Sequence, residues 1–357
     1  MVLGDSYSYY DVISYEERGW YDSLYSSVLS RSNCTLYGAN PEQAANIYKA
    51  VVLDHPELIY HSGLLSRLQP TNAGIIVHIN YSDSVELEYE EAFGRISQRL
   101  YNKLYNLSDY EKYKAIFEYI AGTVEYDTDV FEDYMELSVQ RSRMGHIGNQ
   151  MTPADSEYAR SIEAFMQRNS SSFTPYGVFV NGKAVCMGIA KAFKILCDYF
   201  GLPCICVEAR DKERNVEHLL NMVQIDGKSA FVDATFGLAR EEHPMYNYDI
   251  FLATREVVDK YYNLTYDFEC DGEELSYHAR NGLIFDNVSD LRSYLEAYNA
   301  ELNDNAVRAR YVGDLMDDNE LEDFAIEILN YHLSSKHRLK SRAKTRNGFI
   351  NILIGDR

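Results

Sequence analysis

The chain lacks both long apolar segments and an excess of positive charge. No run of about 18 or more apolar residues occurs in its 357 residues, so no segment is long enough for a membrane-spanning helix. Lys and Arg number 34 against 55 Asp and Glu, which gives a formal net charge of −21. A field of that sign repels phosphate groups and anionic lipids. We therefore expect neither nucleic acid nor a membrane as a partner; cationic or neutral partners fit better.

Cysteine is scarce, and a leader pattern is missing. The opening MVLGDSYSYYDVISYEERGW has neither the basic nor the apolar region of a signal peptide. Six cysteines are too few and too irregularly spaced for a disulfide framework in a chain of this size. Both features favour a cytoplasmic protein, although a trimmed secreted chain would look the same. Three of the cysteines have a C-x6-C-x-C spacing that zinc sites do not use, so we predict buried thiols, no metal and no cofactor there: Cys197, Cys204 and Cys206.

One cysteine stands at an unusual position. In NGKAVCMGIAKAFKILCDYFGLPC, residues 181–204, Cys186 opens a segment whose apolar residues recur at helical spacing, which predicts a helix that begins at the thiol. The unpaired N–H groups and the dipole of a first turn favour a thiolate over a thiol. A structural cysteine could lie anywhere on the apolar face, so this position suits a nucleophile.

Two residues downstream complete a candidate triad. HLLNMVQI and SAFVDATF, joined by the turn pair DG at 226–227, predict a β-hairpin with His218 at the start of its first strand and Asp233 in its second. Attack on an amide by a thiol requires a thiolate, an imidazole that holds and returns its proton, and a carboxylate that orients the imidazole. Taken singly, each of these residues is more often structural.

This ordered set resembles the transglutaminase-like superfamily of papain-type thiol enzymes. Its bacterial members show a cysteine at a helix start, a His-x-x-Asn strand, an Asp-Gly turn and an Asp-x-Thr strand, which here read GKAVCMGIAKAFKILCDYFGLPC and HLLNMVQIDGKSAFVDAT. The match covers about 176–236 firmly and 108–297 more loosely, and DHPELIYH resembles a piece found before the core of clostridial-type relatives. The resemblance implies Cys186 as nucleophile, His218 as general base and acid, and Asp233 as the residue that orients His218.

The resemblance also implies an oxyanion hole beside the thiol. One donor is the backbone N–H of Cys186. The family commonly supplies the other from a side chain upstream of the cysteine, and Tyr176 fits that place better than Asn181. The asparagine of the His-x-x-Asn strand, Asn221, is assigned to the same cleft.

The sharpest departure from the family lies two residues after the histidine. Relatives usually have tryptophan there, whereas this chain has Leu220, and Trp20 is its only tryptophan. Because a strand alternates faces, Leu220 is expected beside His218 on the cleft wall. The site is then either more open, which favours water as the second substrate, or filled by another segment such as 138–176.

The patterns and the resemblance together predict an α+β protein in three parts. These are a mostly helical region (1–107) with one extended piece at 74–82, a papain- or transglutaminase-like core (108–297) whose cysteine helix packs on an antiparallel sheet, and a small C-terminal α/β unit (298–357). The expected function is acyl transfer from a peptide or protein through a Cys186 thioester. Hydrolysis, as a cysteine peptidase or amidase, is preferred because nothing specifies an amine site. Protein-glutamine γ-glutamyl transfer, by crosslinking or deamidation, and a catalytically silent interaction module stay open, as does the oligomeric state.

A basic stretch near the C-terminus, KHRLKSRAKTR, carries a positive charge at every second residue. On a strand all six charges would share one face. A solvated edge strand, or one docked on the acidic body, is favoured over a site for an anionic partner. The six residues are Lys336, Arg338, Lys340, Arg342, Lys344 and Arg346.

Overall fold

Helices are interspersed with mainly antiparallel sheets along the chain, which confirms the α+β class expected from the sequence. The computed structural model describes residues 8–58, 67–79, 83–143, 153–239, 245–270, 272–298, 306–333, 337–339 and 345–356. Across these ranges, no helix has the length and apolar character needed to cross a bilayer.

The N-terminal part combines two capped helices with a small sheet. Helices α1 (Tyr15–Leu29) and α2 (Pro41–Asp54) each begin with a capping box, which satisfies N–H groups of the first turn. They pack on an antiparallel sheet of order β1-β3-β2, formed by β1 (Cys34–Tyr37), β2 (Arg67–Thr71) and β3 (Gly74–His78). The sequence predicted only the third of these strands, because alternation over four or five residues is too short to recognise in β1 and β2.

The helix that precedes residue 108 packs in the same cluster as the helix that follows it. Helix α3 (Asp83–Leu104) buries Tyr89, Leu100 and Leu104 in the same cluster as α4 (Asp109–Thr123). Ser108 and Glu111 form the capping box that opens α4. Helix α3 therefore packs as part of the core, although it precedes residue 107 in the chain.

The helix that carries the candidate nucleophile packs on a five-stranded antiparallel sheet. The strand order is β10-β6-β7-β8-β9, and helix α7 (Cys186–Tyr199) contacts β6 and β7. The predicted hairpin is confirmed, because Asp226 and Gly227 both have positive φ, 51° and 80°, as a tight turn between twisted strands requires. Asp233 comes directly after the second hairpin strand instead of within it. The strands are β6 (Cys204–Asp211), β7 (Glu217–Ile225), β8 (Lys228–Val232), β9 (Phe251–Ala253) and β10 (Tyr262–Leu264).

Two helices form an excursion between α4 and α7. They are α5 (Thr128–Arg143) and α6 (Pro153–Asn169). Short strands β4 (Glu125–Tyr126) and β5 (Lys183–Ala184) pair in parallel at the two ends of the excursion. This pairing brings the segment after α4 beside the segment that enters α7.

A four-stranded sheet and two helices form the C-terminal part of the chain from residue 284. Its sheet has the order β11-β12-β14-β13, and α10 (Val288–Glu296) and α11 (Asp318–His332) bury their apolar faces on it. Two short helices, α8 (Arg255–Val258) and α9 (Tyr277–Arg280), precede it. The strands are β11 (Ile284–Phe285), β12 (Ala306–Tyr311), β13 (His337–Leu339) and β14 (Phe349–Asp356).

The basic stretch falls mostly outside the described residues. Lys336, Arg342 and their neighbours at 340 and 344 lie there, so the shared face of six charges stays a prediction. Arg346 is described, and its guanidinium lies 3.0 Å from Glu213 and over the ring of Tyr261. At this one position, the basic residue docks on the acidic body.

Candidate active site

Cys186 is the only one of the six thiols that reaches the surface. The other five cysteines are buried, and none of the six forms a disulfide. Burial raises the pKa of Cys34, Cys197 and Cys206, which keeps these groups protonated and unreactive. The prediction of buried thiols at 197, 204 and 206 is confirmed.

The chain turns sharply from β5 into α7 at the thiol. Val185 is extended at the N-cap, with φ −91° and ψ 173°, and no side chain of the described residues caps the helix. Gly188 lies in the first turn, where a Cβ would come within 2.7 Å of the carbonyl oxygen of Ser172 and 2.8 Å of that of Thr174. Only glycine lets the preceding segment pack so closely against the turn that presents Cys186.

A buried carboxylate fixes the segment that enters this turn. Asp127 accepts hydrogen bonds from the hydroxyl of Ser172 at 2.5 Å and from the ammonium of Lys183 at 3.0 Å, and its backbone N–H donates to the carbonyl of Ala184 at 3.0 Å. The carbonyl of Ser172 in turn accepts from the N–H of Val185 at 2.9 Å. Burial by itself raises the pKa of Asp127, but the bonds from Ser172 and Lys183 outweigh it and the pKa is lowered.

The structure brings His218 and Asp233 into direct contact. The imidazole Nε2 lies 2.8 Å from Oδ2 of Asp233, whose side chain is 1% exposed. A carboxylate only accepts, so Nε2 donates and Nδ1 is left to face the thiol. Oδ1 of Asp233 accepts from the backbone N–H of Phe236 at 3.0 Å. These bonds fix both the tautomer and the ring orientation.

Asp233 and Cys186 both affect the protonation of His218. Burial of His218 favours the neutral ring, but the charge and hydrogen bond of Asp233, followed by those of Cys186, outweigh it and hold the pKa of His218 well above its ordinary value. For Asp233, burial raises the pKa, whereas His218, Phe236 and Tyr262 lower it further, so the pKa is below its ordinary range. Asp233 and Cys186 therefore both favour the protonated ring, which forms when Nδ1 takes the proton of the thiol.

Sequence reasoning missed Tyr262. Its hydroxyl donates to Oδ2 of Asp233 at 2.7 Å, and its ring stacks on the imidazole of His218 with centroids 4.7 Å apart and planes 15° apart. Only β10, an edge strand paired with β6, brings this residue to the site. No local pattern in the sequence signals such a contact.

Two of the predicted cleft residues have structural partners. The hydroxyl of Tyr176 donates to Glu88 at 2.5 Å, and this contact, after burial, raises its pKa to about 12. The amide of Asn221 is fully buried and donates to the carbonyls of Ala190 and Ile205 at 3.0 and 3.3 Å. Asn221 thus ties α7 to the sheet, and its side chain faces away from solvent.

The expectation that Leu220 lines an open cleft is wrong. Leu220 does share a face with His218, but it is 1% exposed, in a core cluster with Val207, Met222 and Phe349. Phe349, from the C-terminal part of the chain, belongs to the same buried cluster. Tryptophan at 220 would overpack this core and is expected to destabilise the fold instead of widening the wall.

The cleft around the thiol is bounded by two other parts of the chain. Met187, next to Cys186, packs both against the N-terminal cluster of α1 and α2 and against the cluster that α5 and α6 form with Val185. The excursion thus flanks the nucleophile. This is in line with the alternative that a segment such as 138–176 fills part of the site. Among the described residues, no cluster of three or more His, Cys, Asp or Glu could hold a metal ion.

We predict that the carboxylate of Asp127 stabilises the segment that enters α7. Replacing it with alanine leaves the Ser172 hydroxyl without its acceptor, which costs about 2 kcal/mol in the free energy of unfolding at neutral pH. Because the pKa of Asp127 is lowered in the fold, this contribution is present above the ordinary carboxyl pKa and is lost as the pH falls through the lowered value. Urea unfolding at neutral and acid pH measures the difference.

Asp129→Ala is the matched control. Asp129 also contacts Lys183, at 3.4 Å, but its side chain is 89% exposed, so its removal should change stability by less than about 0.5 kcal/mol. Equal effects of the two variants would contradict the role given to Asp127.

Comparison with known proteins adds a likeness at the level of structure. No protein-family model and no curated protein matches the sequence. A crystal structure of a transglutaminase is similar at 15% identity and a TM-score of 0.31, over 47% of this chain and 43% of that one. A candidate cysteine protease from Cytophaga hutchinsonii is similar at 15% identity and a TM-score of 0.26, over 43% of this chain and 40% of that one.

The chain thus spans less than half the length of either solved structure. At 15% identity, neither likeness carries an argument about family or role, so the transglutaminase-like superfamily, with its bacterial and clostridial detail, stays a prediction from the sequence. Since both TM-scores are below 0.5, the functional proposal rests on the geometry of Cys186, His218 and Asp233.

Proposed function

We propose that the chain is a thiol enzyme that transfers acyl groups from amide or peptide substrates through a thioester on Cys186. One observation carries the proposal: the only surface thiol stands at a helix start beside an imidazole that a buried carboxylate orients through a 2.8 Å bond. A structural cysteine needs neither the imidazole nor the carboxylate behind it.

Acylation follows from the orientation of the imidazole. Nδ1 of His218 takes the proton of the thiol, and the thiolate attacks the carbonyl carbon of the substrate. The carbonyl oxygen becomes an oxyanion beside the uncapped first turn of α7, whose N–H groups, that of Cys186 included, donate to it. When the tetrahedral species collapses, His218 returns the proton to the leaving amine and the thioester remains.

Deacylation reverses these roles. His218, now neutral, takes a proton from water or from an amine, and that nucleophile attacks the thioester carbonyl. Collapse releases the acid or the new amide, and the proton returns to the sulfur of Cys186. Asp233 keeps its charge throughout, because its task is to hold the imidazolium that forms in both half-reactions.

Water is the acyl acceptor in the function we prefer. His218 is 12% exposed and Cys186 is partly exposed, so water reaches the thioester. Leu220 is buried, so a small side chain at that position does not open the site to water. Hydrolysis of a peptide or amide is therefore proposed only because water has access to the thioester. Glutamine γ-glutamyl transfer is the second candidate, because it proceeds through the same thioester.

The pairing predicts selective reactivity of one thiol. Iodoacetamide should alkylate Cys186 far faster than the other five cysteines at a pH well below that at which a free thiol ionises, because an adjacent imidazolium stabilises the thiolate. His218→Ala should remove this advantage, whereas His332→Ala, at an exposed position, should keep it. Peptide mapping by mass spectrometry gives the rate for each cysteine.

Equal labelling of Cys186 in the native protein and in His218→Ala would contradict the pairing. A Cys186 that labels no faster than the buried thiols would favour the silent interaction module over both enzyme functions.

The choice between water and an amine predicts a product ratio. With a glutamine-bearing peptide and an excess of a primary amine, the native protein should give mostly the free acid, since no described side chain is assigned to an amine site. Mass spectrometry of the peptide distinguishes a hydrolysed side chain from an amine adduct. A predominance of adduct would replace hydrolysis with transfer, and Cys186→Ala should abolish both products.

A further inference from the structure

Tyr262 is held at the active site by contacts on two sides. It opens the edge strand β10, where it pairs with Asp211 of β6, and it is buried. Its ring covers one face of the His218 imidazole, and its hydroxyl reaches the carboxylate behind that imidazole. A buried tyrosine more often closes a local hydrogen bond, but here the acceptor lies 29 residues away in the sequence.

The hydroxyl can only donate to this partner. Asp233 is an ionised acceptor, and burial together with the charge of Asp233 raises the pKa of Tyr262 well above its ordinary value, so the proton stays on the phenol. Asp233 thus has three donors: His218 and Tyr262 on Oδ2, and the N–H of Phe236 on Oδ1. Two of the three share one oxygen.

We propose that Tyr262 is a positioning residue that sets the basicity of His218 and keeps its ring turned toward Cys186. The inference rests on the proposed function and deepens it. The hydroxyl shares the negative charge of Oδ2 with the imidazole N–H, which weakens the hold of Asp233 on the imidazolium. A proton held less tightly is more easily returned to the leaving amine.

The ring has a second role. With planes 15° apart, it blocks rotation of the imidazole on one face and excludes water from the bond between His218 and Asp233. A hydrogen bond shielded from water is stronger and better oriented than an exposed one. Nδ1 therefore keeps its direction toward the thiol through the catalytic cycle.

The two roles are separable by substitution. Tyr262→Phe keeps the stack and removes the donor, so Oδ2 holds the imidazolium more tightly and the pKa of His218 rises further. Tyr262→Met removes both donor and ring. Tyr261→Phe is the matched control, because Tyr261 is the adjacent buried tyrosine and its ring packs on Phe236 instead of the imidazole.

The experiment follows alkylation of Cys186 by iodoacetamide across pH, with circular dichroism of each variant as a check on folding. As the pH rises, the alkylation rate changes in two steps: the first where the thiolate forms, and the second where His218 loses its proton. Tyr262→Phe should move the second step by about half a unit to one unit toward alkaline pH with little change in maximal rate, since one donor to a charged group is lost. Tyr262→Met should also lower the rate below that step by about tenfold, because the ring is no longer oriented.

The outcomes distinguish the inference from the function on which it rests. A native profile without the low-pH reactivity overturns the proposed function itself. If the native protein shows the low-pH reactivity and the profiles of Tyr262→Phe and Tyr262→Met superimpose on its profile, only the role of Tyr262 is overturned. A second step that moves toward acid pH in Tyr262→Phe overturns that role as well. Should Tyr262→Phe fail to fold, the second step of Tyr262→Met decides, because that variant also lacks the hydroxyl donor to Oδ2. A second step that stays at the native pH or moves toward acid overturns the role of Tyr262.

Discussion

The site depends on one buried carboxylate. Asp233 is 1% exposed, and taking an isolated ion out of water costs several kcal/mol unless its oxygens are satisfied and its charge is opposed. Three donors meet that requirement, and one of them is the imidazolium of His218, which also opposes the charge. The end of β8, the start of β7 and the start of β10 must therefore meet at one point, and the same constraint that stabilises the ion aims Nδ1 of His218 at the thiol.

Cys186 comes to this point by a separate route. Strands β4 and β5 pair at the ends of the α5–α6 excursion, and Asp127 ties that junction to Ser172 and Lys183. Gly188 then allows the preceding segment to pack against the first turn of α7. The nucleophile and its base are thus positioned by two separate hydrogen-bond networks, while Asn221 of β7 also ties α7 to the sheet.

Much of the site could be predicted from sequence because its main signals are local. The helix start at Cys186 and the hairpin through Asp226 and Gly227 are each encoded within a few residues, and their order resembles a known superfamily. The role of Tyr262 could not be predicted, because only the pairing of an edge strand brings it there. Leu220 was assigned correctly to the face of His218 and wrongly to the cleft, since strand alternation does not reveal that distant residues such as Phe349 join Leu220 in one buried cluster.

The central claim is that Cys186 carries an acyl group between two half-reactions. It is tested most directly by mixing the protein with an activated nitrophenyl ester, quenching in acid after successive intervals, and measuring the intact mass with peptide mapping. We expect a gain of one acyl group, located on Cys186, which appears early, decays as the ester is consumed, and accumulates in His218→Ala if acylation survives there. An ester turned over with no acyl group on Cys186 at any interval, or turned over equally by Cys186→Ala, would contradict the account.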